Sequence, residues 1–350
     1  MSNPDTSPAA SGATLPLVTL VLPAYNESAI LADNFRLLHE HLRGLASRYR
    51  FEYVIVNDGS SDETGAIADA LAREHAEVRV IHHYRNAGLG QGFKTGFAES
   101  RGDIIVTLDI DMSYAPDHID RMLATIESTG ADLVLASPYM EGGEISNVPP
   151  LRRFLSIWAN RFLSMFARGR LSTLTCMVRA YRGDFARGVV LRAVGMEVMP
   201  ETIYKAMILR RRIVQIPAHL DWSRQIKVGQ KRRSSMRILR HTFATLLSGF
   251  VFRPFMFFVL PGVVLLAFSL WVNFWMFMHF VEAFVALGPQ VSGDRVSLAV
   301  ASAYRDYPHT FIVGLLSLML GIQLTGLGVL ALQAKSYFEE LFYLGSQRRR

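Results

Sequence analysis

Residues 254–278 contain no charged side chain, and neither do residues 310–334. Each run exceeds the roughly 20 residues that a helix needs to cross a bilayer. Phe, Trp, Leu and Val lie on every side of both runs, whereas a helix covering a soluble core shows one apolar stripe. Two transmembrane helices are therefore expected, and what precedes them suffices for one soluble domain.

Basic residues cluster on one side of these spans. Lys227, Lys231, Arg232, Arg233, Arg237, Arg240 and Arg253 precede the first, Lys335 and Arg348 to Arg350 follow the second, and the connecting loop holds only Arg295 and Arg305. Positive flanks stay on the cytoplasmic side, so both termini are expected there. The net charge of +7 then points to an anionic lipid surface and away from nucleic acid. Residues 1–15, rich in Ser, Pro, Ala and Thr, have neither the basic start nor the apolar run of a signal peptide and read as a disordered tail. The single cysteine, Cys176, excludes an intrachain disulfide and reads as a packed thiol.

Before the spans, short runs rich in Val, Ile and Leu alternate with helical patterns at residues 17–22, 51–56, 78–82, 104–108 and 132–136. That alternation predicts an α/β domain with a mostly parallel sheet. Polar, chemically loaded residues follow the first, second and fourth runs directly. In such sheets ligands bind beyond the carboxyl ends of the strands, so these residues can share one crevice.

The fourth run ends in Asp109-Ile110-Asp111-Met112-Ser113, and two carboxylates one residue apart at a strand end can hold a divalent cation and, through it, a diphosphate. Alone, such a pair occurs in many surface loops. Here it is joined by Pro23-Ala24-Tyr25-Asn26-Glu27 after the first run and Asn57-Asp58-Gly59-Ser60-Ser61-Asp62 after the second, where Asp58 can accept from a base or ribose and Asp62 suits a helix N-cap. The stretch Gly88-Leu89-Gly90-Gln91-Gly92-Phe93-Lys94-Thr95 lacks the Gly before Lys of a Walker loop, so it reads as a turn opening a helix beside these strand ends.

These pieces, with Asn86-Ala87-Gly88-Leu89-Gly90, Pro116 and residues 175–182, resemble family 2 glycosyltransferases in order and spacing, and within them polyprenyl- or dolichol-phosphate mannose and glucose synthases. The resemblance covers about residues 18–217 and implies a GT-A, Rossmann-like fold, a Mg or Mn cofactor, and inversion at the sugar's anomeric carbon. It also implies that Pro23, Tyr25, Glu27, Asp58 and Asp109 bind the nucleotide and that Asp109, Asp111 and Ser113 surround the metal. Arg179 is expected to face the diphosphate or the lipid phosphate, joined for the latter by Arg152 and Ser156, which fall with Asn160 on one helical face. Glu201 is a candidate sugar contact or base, or else an acid at a helix N-terminus. The chain departs from the family pattern at Asn57, where a second acid is common, at Pro138, where an arginine is common, and at Thr173, where an aspartate is common.

The expected organisation is a GT-A domain over 16–225, a basic amphipathic juxtamembrane segment over 226–252 with a surface-lying helix at 233–250, spans at 253–280 and 309–334, an extracytoplasmic connector at 281–308 and a basic cytoplasmic tail at 335–350. The activity so implied is transfer of a hexose from a GDP- or UDP-sugar to polyprenyl phosphate at the inner membrane. Two alternatives stand beside it. One is a transferase acting on a polysaccharide or another lipid head group, although Gln230-Lys231-Arg232-Arg233-Ser234 lacks the Trp of the processive synthase signature. The other is a catalytically silent membrane scaffold.

Overall fold

The computed structural model describes residues 15–150, 153–154, 156–157, 160–161, 171–223, 255–288 and 293–347. Two compact units emerge, one holding the sheet domain and the other the two apolar helices.

In the first unit the chain runs β1 (Leu17–Ala24), α1 (Leu31–Arg43), β2 (Arg50–Asn57), α2 (Thr64–Glu74), β3 (Val78–His82), α3 (Leu89–Glu99), β4 (Ile104–Thr107), α4 (Asp117–Thr129), β5 (Leu133–Ser137) and β6 (Glu144–Ser146). It continues through β7 (Arg179–Arg182), α5 (Gly183–Gly188), α6 (Val198–Ile208), β8 (Ile213–Pro217) and β9 (His219–Asp221). The five expected strands form, each within two residues of its expected bounds. Seven strands make one sheet in the order β3-β2-β1-β4-β7-β5-β8, while β6 and β9 pair separately. All pairings of the large sheet are parallel except those of β7, which runs antiparallel to both β4 and β5.

Strand parity divides the core. Val18, Leu20, Leu22 and Ala24 of β1 face one side and meet Leu31, Phe35, Leu38 and Leu42 of α1, with α2 and α4. Val21 faces the other side and meets Phe93 and Phe97 of α3, Phe185 of α5 and Ile203 of α6. The i, i+4, i+7 and i+11 spacing on α1 places one apolar stripe on the sheet, which is why a strand buried on both faces reads as a continuous apolar run. Because β2 and β4 flank β1 on opposite sides, the order of connection reverses at β1, and a crevice opens there beyond the strand ends.

The second unit holds α7 (Leu260–Ala286), preceded by a π-helical turn (Phe255–Val259), α8 (Arg295–Asp306) and α9 (Pro308–Gln347). Both α7 and α9 are long and apolar enough to cross a membrane, and most of their large side chains, among them Trp271, Phe274, Leu315 and Leu330, are exposed rather than packed in a core. The connector expected at 281–308 is shorter than anticipated, because α7 runs on to Ala286 and α8 forms within it. Asp294 caps α8 by accepting from the Val296 N–H at 3.0 Å, and Arg295 lies over the Phe284 ring at 4.5 Å. The helix α9 likewise continues past Ala334 to Gln347.

The two long helices meet along a seam of period seven. A Cβ on Gly314 would lie 3.0 Å from the Asn273 side chain, one on Gly321 would lie 2.9 Å from that of Leu266, and one on Gly328 would lie 2.4 Å from that of Val259. Residue numbers in each facing pair fall on one helix as they rise on the other, as antiparallel packing requires, and small residues let the backbones approach. Ser269 Oγ and Asn273 Nδ2 donate to the Gly314 carbonyl at 3.1 and 3.3 Å, adding polar contacts at the same place. The small residues of α9 thus divide, since Gly326 has nothing within 4 Å of its would-be Cβ. A Gly321→Leu or Gly328→Ile change should overpack the seam at a cost of about 1–3 kcal/mol and lower the melting temperature in detergent, whereas Gly326→Ile should leave it unchanged.

Candidate active site

Three loops converge at the carboxyl ends of β2, β1 and β4, and short polar side chains tie them together. The Asp58 N–H donates to the Ala24 carbonyl at 2.9 Å. Asn26, in the left-handed region at φ 55°, receives the Ser61 N–H on its Oδ1 at 2.9 Å and donates its own N–H to Ser60 Oγ at 3.0 Å. The Glu27 N–H donates to Thr64 Oγ1 at 2.8 Å. Asp62 accepts from the Ser28 N–H at 3.2 Å and the Thr64 N–H at 3.0 Å; the N-cap position of α2 is Glu63, so Asp62 stands one residue before the expected cap and grips both the start of α2 and the first loop. Burial alone would raise its pKa, but the hydrogen bonds from Thr64 and Ser28 outweigh that and hold the carboxyl down at about 2.

The third loop is held from α1. Buried Asn34 donates through Nδ2 to the Ile110 carbonyl at 2.7 Å, the peptide between the two aspartates. Met112 takes a φ of 53°, which turns the chain so that the Ser113 N–H donates to Asp111 Oδ1 at 3.0 Å. Asp111 is 8% exposed. Behind the loop the Cys176 thiol donates to the Tyr114 hydroxyl at 3.5 Å, and burial pushes that thiol's pKa up. Below it, His118 donates from Nδ1 to the Ala115 carbonyl at 2.8 Å and accepts the His219 N–H on Nε2 at 3.0 Å, a pattern that needs the neutral ring. The Asp221 N–H donates to the Ser113 carbonyl at 2.9 Å. The Asn147 amide and the Ser223 hydroxyl and N–H hold the Asp221 carboxyl down at about 2.

Pro23, in the last residues of β1, and Tyr25, Glu27, Asp58, Asp109, Asp111 and Ser113, on the three loops, thus lie at adjoining strand ends. Tyr25 is 46% exposed, whereas Glu27 and Asp58 are buried. Asp58 is already engaged: its Oδ1 accepts from the Ala87 N–H at 2.9 Å and from His83 Nδ1 at 2.7 Å, and its Oδ2 accepts from the Gly88 N–H at 2.8 Å. His83 is fixed in turn by Thr95 Oγ1 at 2.9 Å. Asp58 therefore shapes the glycine-rich turn, with capacity for a further donor on Oδ2. Gly88, at φ 93°, and Gly90 pack so closely on the 193–194 backbone that a Cβ on either would lie 2.4 or 2.5 Å from a carbonyl oxygen.

Two expected functional residues are built into the scaffold instead. Arg179 is 0% exposed and donates from Nε to the Cys176 carbonyl at 2.7 Å, from Nη1 to the Met199 carbonyl at 2.8 Å and from Nη2 to the Leu174 carbonyl at 2.8 Å. Every nitrogen is spent on backbone, so the guanidinium faces neither a diphosphate nor a lipid phosphate. Its parity on β7 matches that of Tyr181, which turns it toward α6. Glu201 accepts the Arg192 and Ala193 N–H groups, each at 2.9 Å, and pairs with Lys205 Nζ at 2.5 Å. It pins the loop that packs on Gly88 and Gly90 and stands in the first turn of α6, the helix N-terminal position that the sequence offered as its alternative. Of the acceptor-phosphate set, Arg152 lies outside the described residues, as does the basic segment 226–252 with residues 233–250. The Ser156 hydroxyl shares a 2.5 Å hydrogen bond with that of Tyr139. Asn160 Oδ1 receives the Leu174 N–H at 3.0 Å and the Thr175 hydroxyl at 3.2 Å, latching the strand that leads to Arg179.

Asn34, His83 and His118 escaped the sequence reading. Asn34 alone carried a signal, since an amide on the inward stripe of an amphipathic helix requires a buried partner.

Replacing Arg179 should leave three buried carbonyls without donors, each costing about 1–3 kcal/mol. Arg179→Ala should therefore lower the melting temperature sharply, with Arg179→Lys intermediate; an unchanged melting temperature with lost activity would point to a direct catalytic role. For Asp62 and Asp221 the folded pKa lies below the ordinary 3.8. Their stabilisation is thus complete above about pH 4 and is lost as pH falls toward about 2. Melting temperature plotted against pH should fall in that window, and less steeply for Asp62→Asn.

Comparison with known sequences bears on this site directly. The pattern of Glycosyl transferase family 2 matches residues 19–187. An undecaprenyl-phosphate mannosyltransferase of Micrococcus luteus is 31% identical over 207 residues, covering 57% of this chain and 82% of that protein. A polyprenol monophosphomannose synthase of Mycolicibacterium smegmatis is 34% identical over 179 residues, 50% of this chain and 65% of that one. A dolichol-phosphate mannosyltransferase of Pyrococcus furiosus is 27% identical over 229 residues, 65% of this chain. This chain thus spans 62% and 65% of the last relative and the second. With three loops of the expected composition at the switch point of a GT-A sheet and a match across most of a relative's length, the chain belongs to glycosyl transferase family 2 and is a glycosyltransferase.

Proposed function

We propose that the enzyme transfers a hexose from a GDP- or UDP-sugar to polyprenyl phosphate, with inversion, at the cytoplasmic face of the inner membrane. The observation that carries this reading is the tying of the Pro23–Glu27, Asp58 and Asp109–Ser113 loops into one crevice, in a chain that also carries two helices able to span a bilayer. The names of the relatives support a lipid phosphate acceptor.

The donor set at the third loop suits a hard divalent cation. Asp109, Asp111 and Ser113 offer only oxygen, and the nearby Cys176 stays a protonated thiol. These three residues would hold Mg or Mn, which when bound would screen the diphosphate's charge. Pro23, Tyr25, Glu27 and Asp58 would receive the nucleoside on the neighbouring loops, with Asp58 contributing through Oδ2 and through the turn it shapes.

The acceptor determines what else is required. A hydroxyl must lose a proton to a positioned base, whereas a phosphate monoester with a second pKa near 6 is already largely anionic at neutral pH. Glu201, the carboxylate considered for such a base, is engaged by two N–H groups and a lysine, which accords with an acceptor that needs none. Alignment and charge screening then do most of the work, and Ser156 with Arg152 is proposed to meet the lipid phosphate. Both spans would hold the domain where a prenyl chain stays in the bilayer, with both termini cytoplasmic by the basic flanks.

Purified full-length protein should transfer radiolabel from one of a panel of GDP- and UDP-sugars to undecaprenyl or dolichyl phosphate. Labelling should need Mg or Mn, vanish with EDTA, and drop at least about a hundredfold in Asp111→Ala. Donor hydrolysis without lipid labelling would redirect the reading to another acceptor, and absence of turnover with every donor would favour a silent scaffold.

A further inference from the structure

Away from the donor crevice, at the amino ends of β2 and β3, three side chains from separate segments converge. His39 lies on α1, His75 ends α2, and Glu77 precedes β3, with its carbonyl accepting the Tyr53 N–H of β2 at 2.9 Å. Their donor atoms all lie within 4.8 Å of one another. Nδ1 of His39 stands 3.7 Å, and Nδ1 of His75 3.9 Å, from Glu77 Oε1. The two imidazole centroids are 4.7 Å apart.

Ligands at about 2.0–2.2 Å in a tetrahedral shell sit roughly 3.4 Å from one another. The two measured separations therefore need to shrink by only a few tenths of an ångström, a movement within reach of side-chain torsions. The cluster is also held from behind. The fully buried Phe35 ring stacks on His39 at 5.8 Å and 13° and lies 5.2 Å from His75. The buried Tyr53 hydroxyl stands 3.2 Å from His39 Nδ1, the same nitrogen that faces Glu77, and would give up this contact when the ring ligates an ion.

We propose that His39, His75 and Glu77 form a binding site for one zinc-class transition-metal ion, clamping α1 to the end of α2 and the start of β3. Two imidazoles and one carboxylate favour such an ion over Mg, in contrast to the all-oxygen set at Asp109, Asp111 and Ser113. The fourth position would be taken by water. Five residues before His39, α1 carries Asn34, which holds the peptide between the two aspartates, so an ion here steadies the helix on which that loop hangs.

The test uses the full chain in detergent, in an Asp109→Asn, Asp111→Asn background that disables the oxygen site. After chelator treatment it is titrated with zinc chloride, and retained metal is measured by mass spectrometry after gel filtration. One zinc per chain is expected, with a raised melting temperature, retention in excess magnesium chloride, and visible d–d absorption on cobalt substitution. His75→Asn should weaken retention by more than about tenfold; Glu77→Gln provides the same comparison where circular dichroism shows His75→Asn misfolded. Zinc retained equally by the parent and a folded ligand variant, or by neither, would overturn the assignment.

Discussion

A guanidinium with no access to solvent stands at the centre of the sheet domain, and much of the architecture around the site depends on how its charge is accommodated. Arg179 sits on the one antiparallel strand of the large sheet, opposite Thr107 of β4 and Leu135 of β5. Taking an arginine out of water costs several kcal/mol unless its donors are satisfied. Three carbonyls do so, and they belong to three positions that are otherwise unconnected: Leu174 and Cys176 on the strand's approach, and Met199 on α6. Satisfying the cation thereby fixes the segment behind Tyr114 and sets where α6 begins. Glu201, two residues beyond Met199, can then reach the Arg192 and Ala193 amides, and those residues press the loop onto Gly88 and Gly90.

The front of the site follows another logic. Its loops are joined almost entirely by short side chains bonding to backbone: Asn26 to the second loop, Asp62 and Thr64 back to the first, Asp58 to the glycine-rich turn, Asn34 to the third. Such bonds hold the strand-end loops in a preset arrangement, so the donor's phosphates would meet groups already in place. Short side chains also carry little conformational entropy to lose. The same economy explains why Asp58, an expected ligand contact, serves first as a structural acceptor.

In lipid no hydrophobic force acts between helices, and the contacts in the apolar unit are of a kind that would remain effective there. The glycines at 314, 321 and 328 admit close packing against Asn273, Leu266 and Val259, and Ser269 and Asn273 find a carbonyl partner where the backbones approach. The glycines at 314, 321 and 328 recur every seven residues on the contact face, whereas Gly326 has nothing within 4 Å of its would-be Cβ.

By itself the sequence determined the class of the fold, the five strands β1 to β5, the two apolar helices and the three loops that carry acid. Those features depend on local periodicity and on the rule that polar residues at carboxyl ends of parallel strands share a crevice. The roles of individual polar residues at 179, 201, 156 and 160 were decided only by tertiary structure. A motif identifies a residue type at a position, but whether an arginine faces a ligand or the core depends on strand parity and on which carbonyls lie across the sheet. For Arg179 those carbonyls come from 3, 5 and 20 residues away, and for the His39, His75 and Glu77 cluster the partners are brought together by β2 and β3 pairing. Long-range pairing of this kind leaves no periodic trace in the chain, so its chemistry becomes legible only when the strands are side by side.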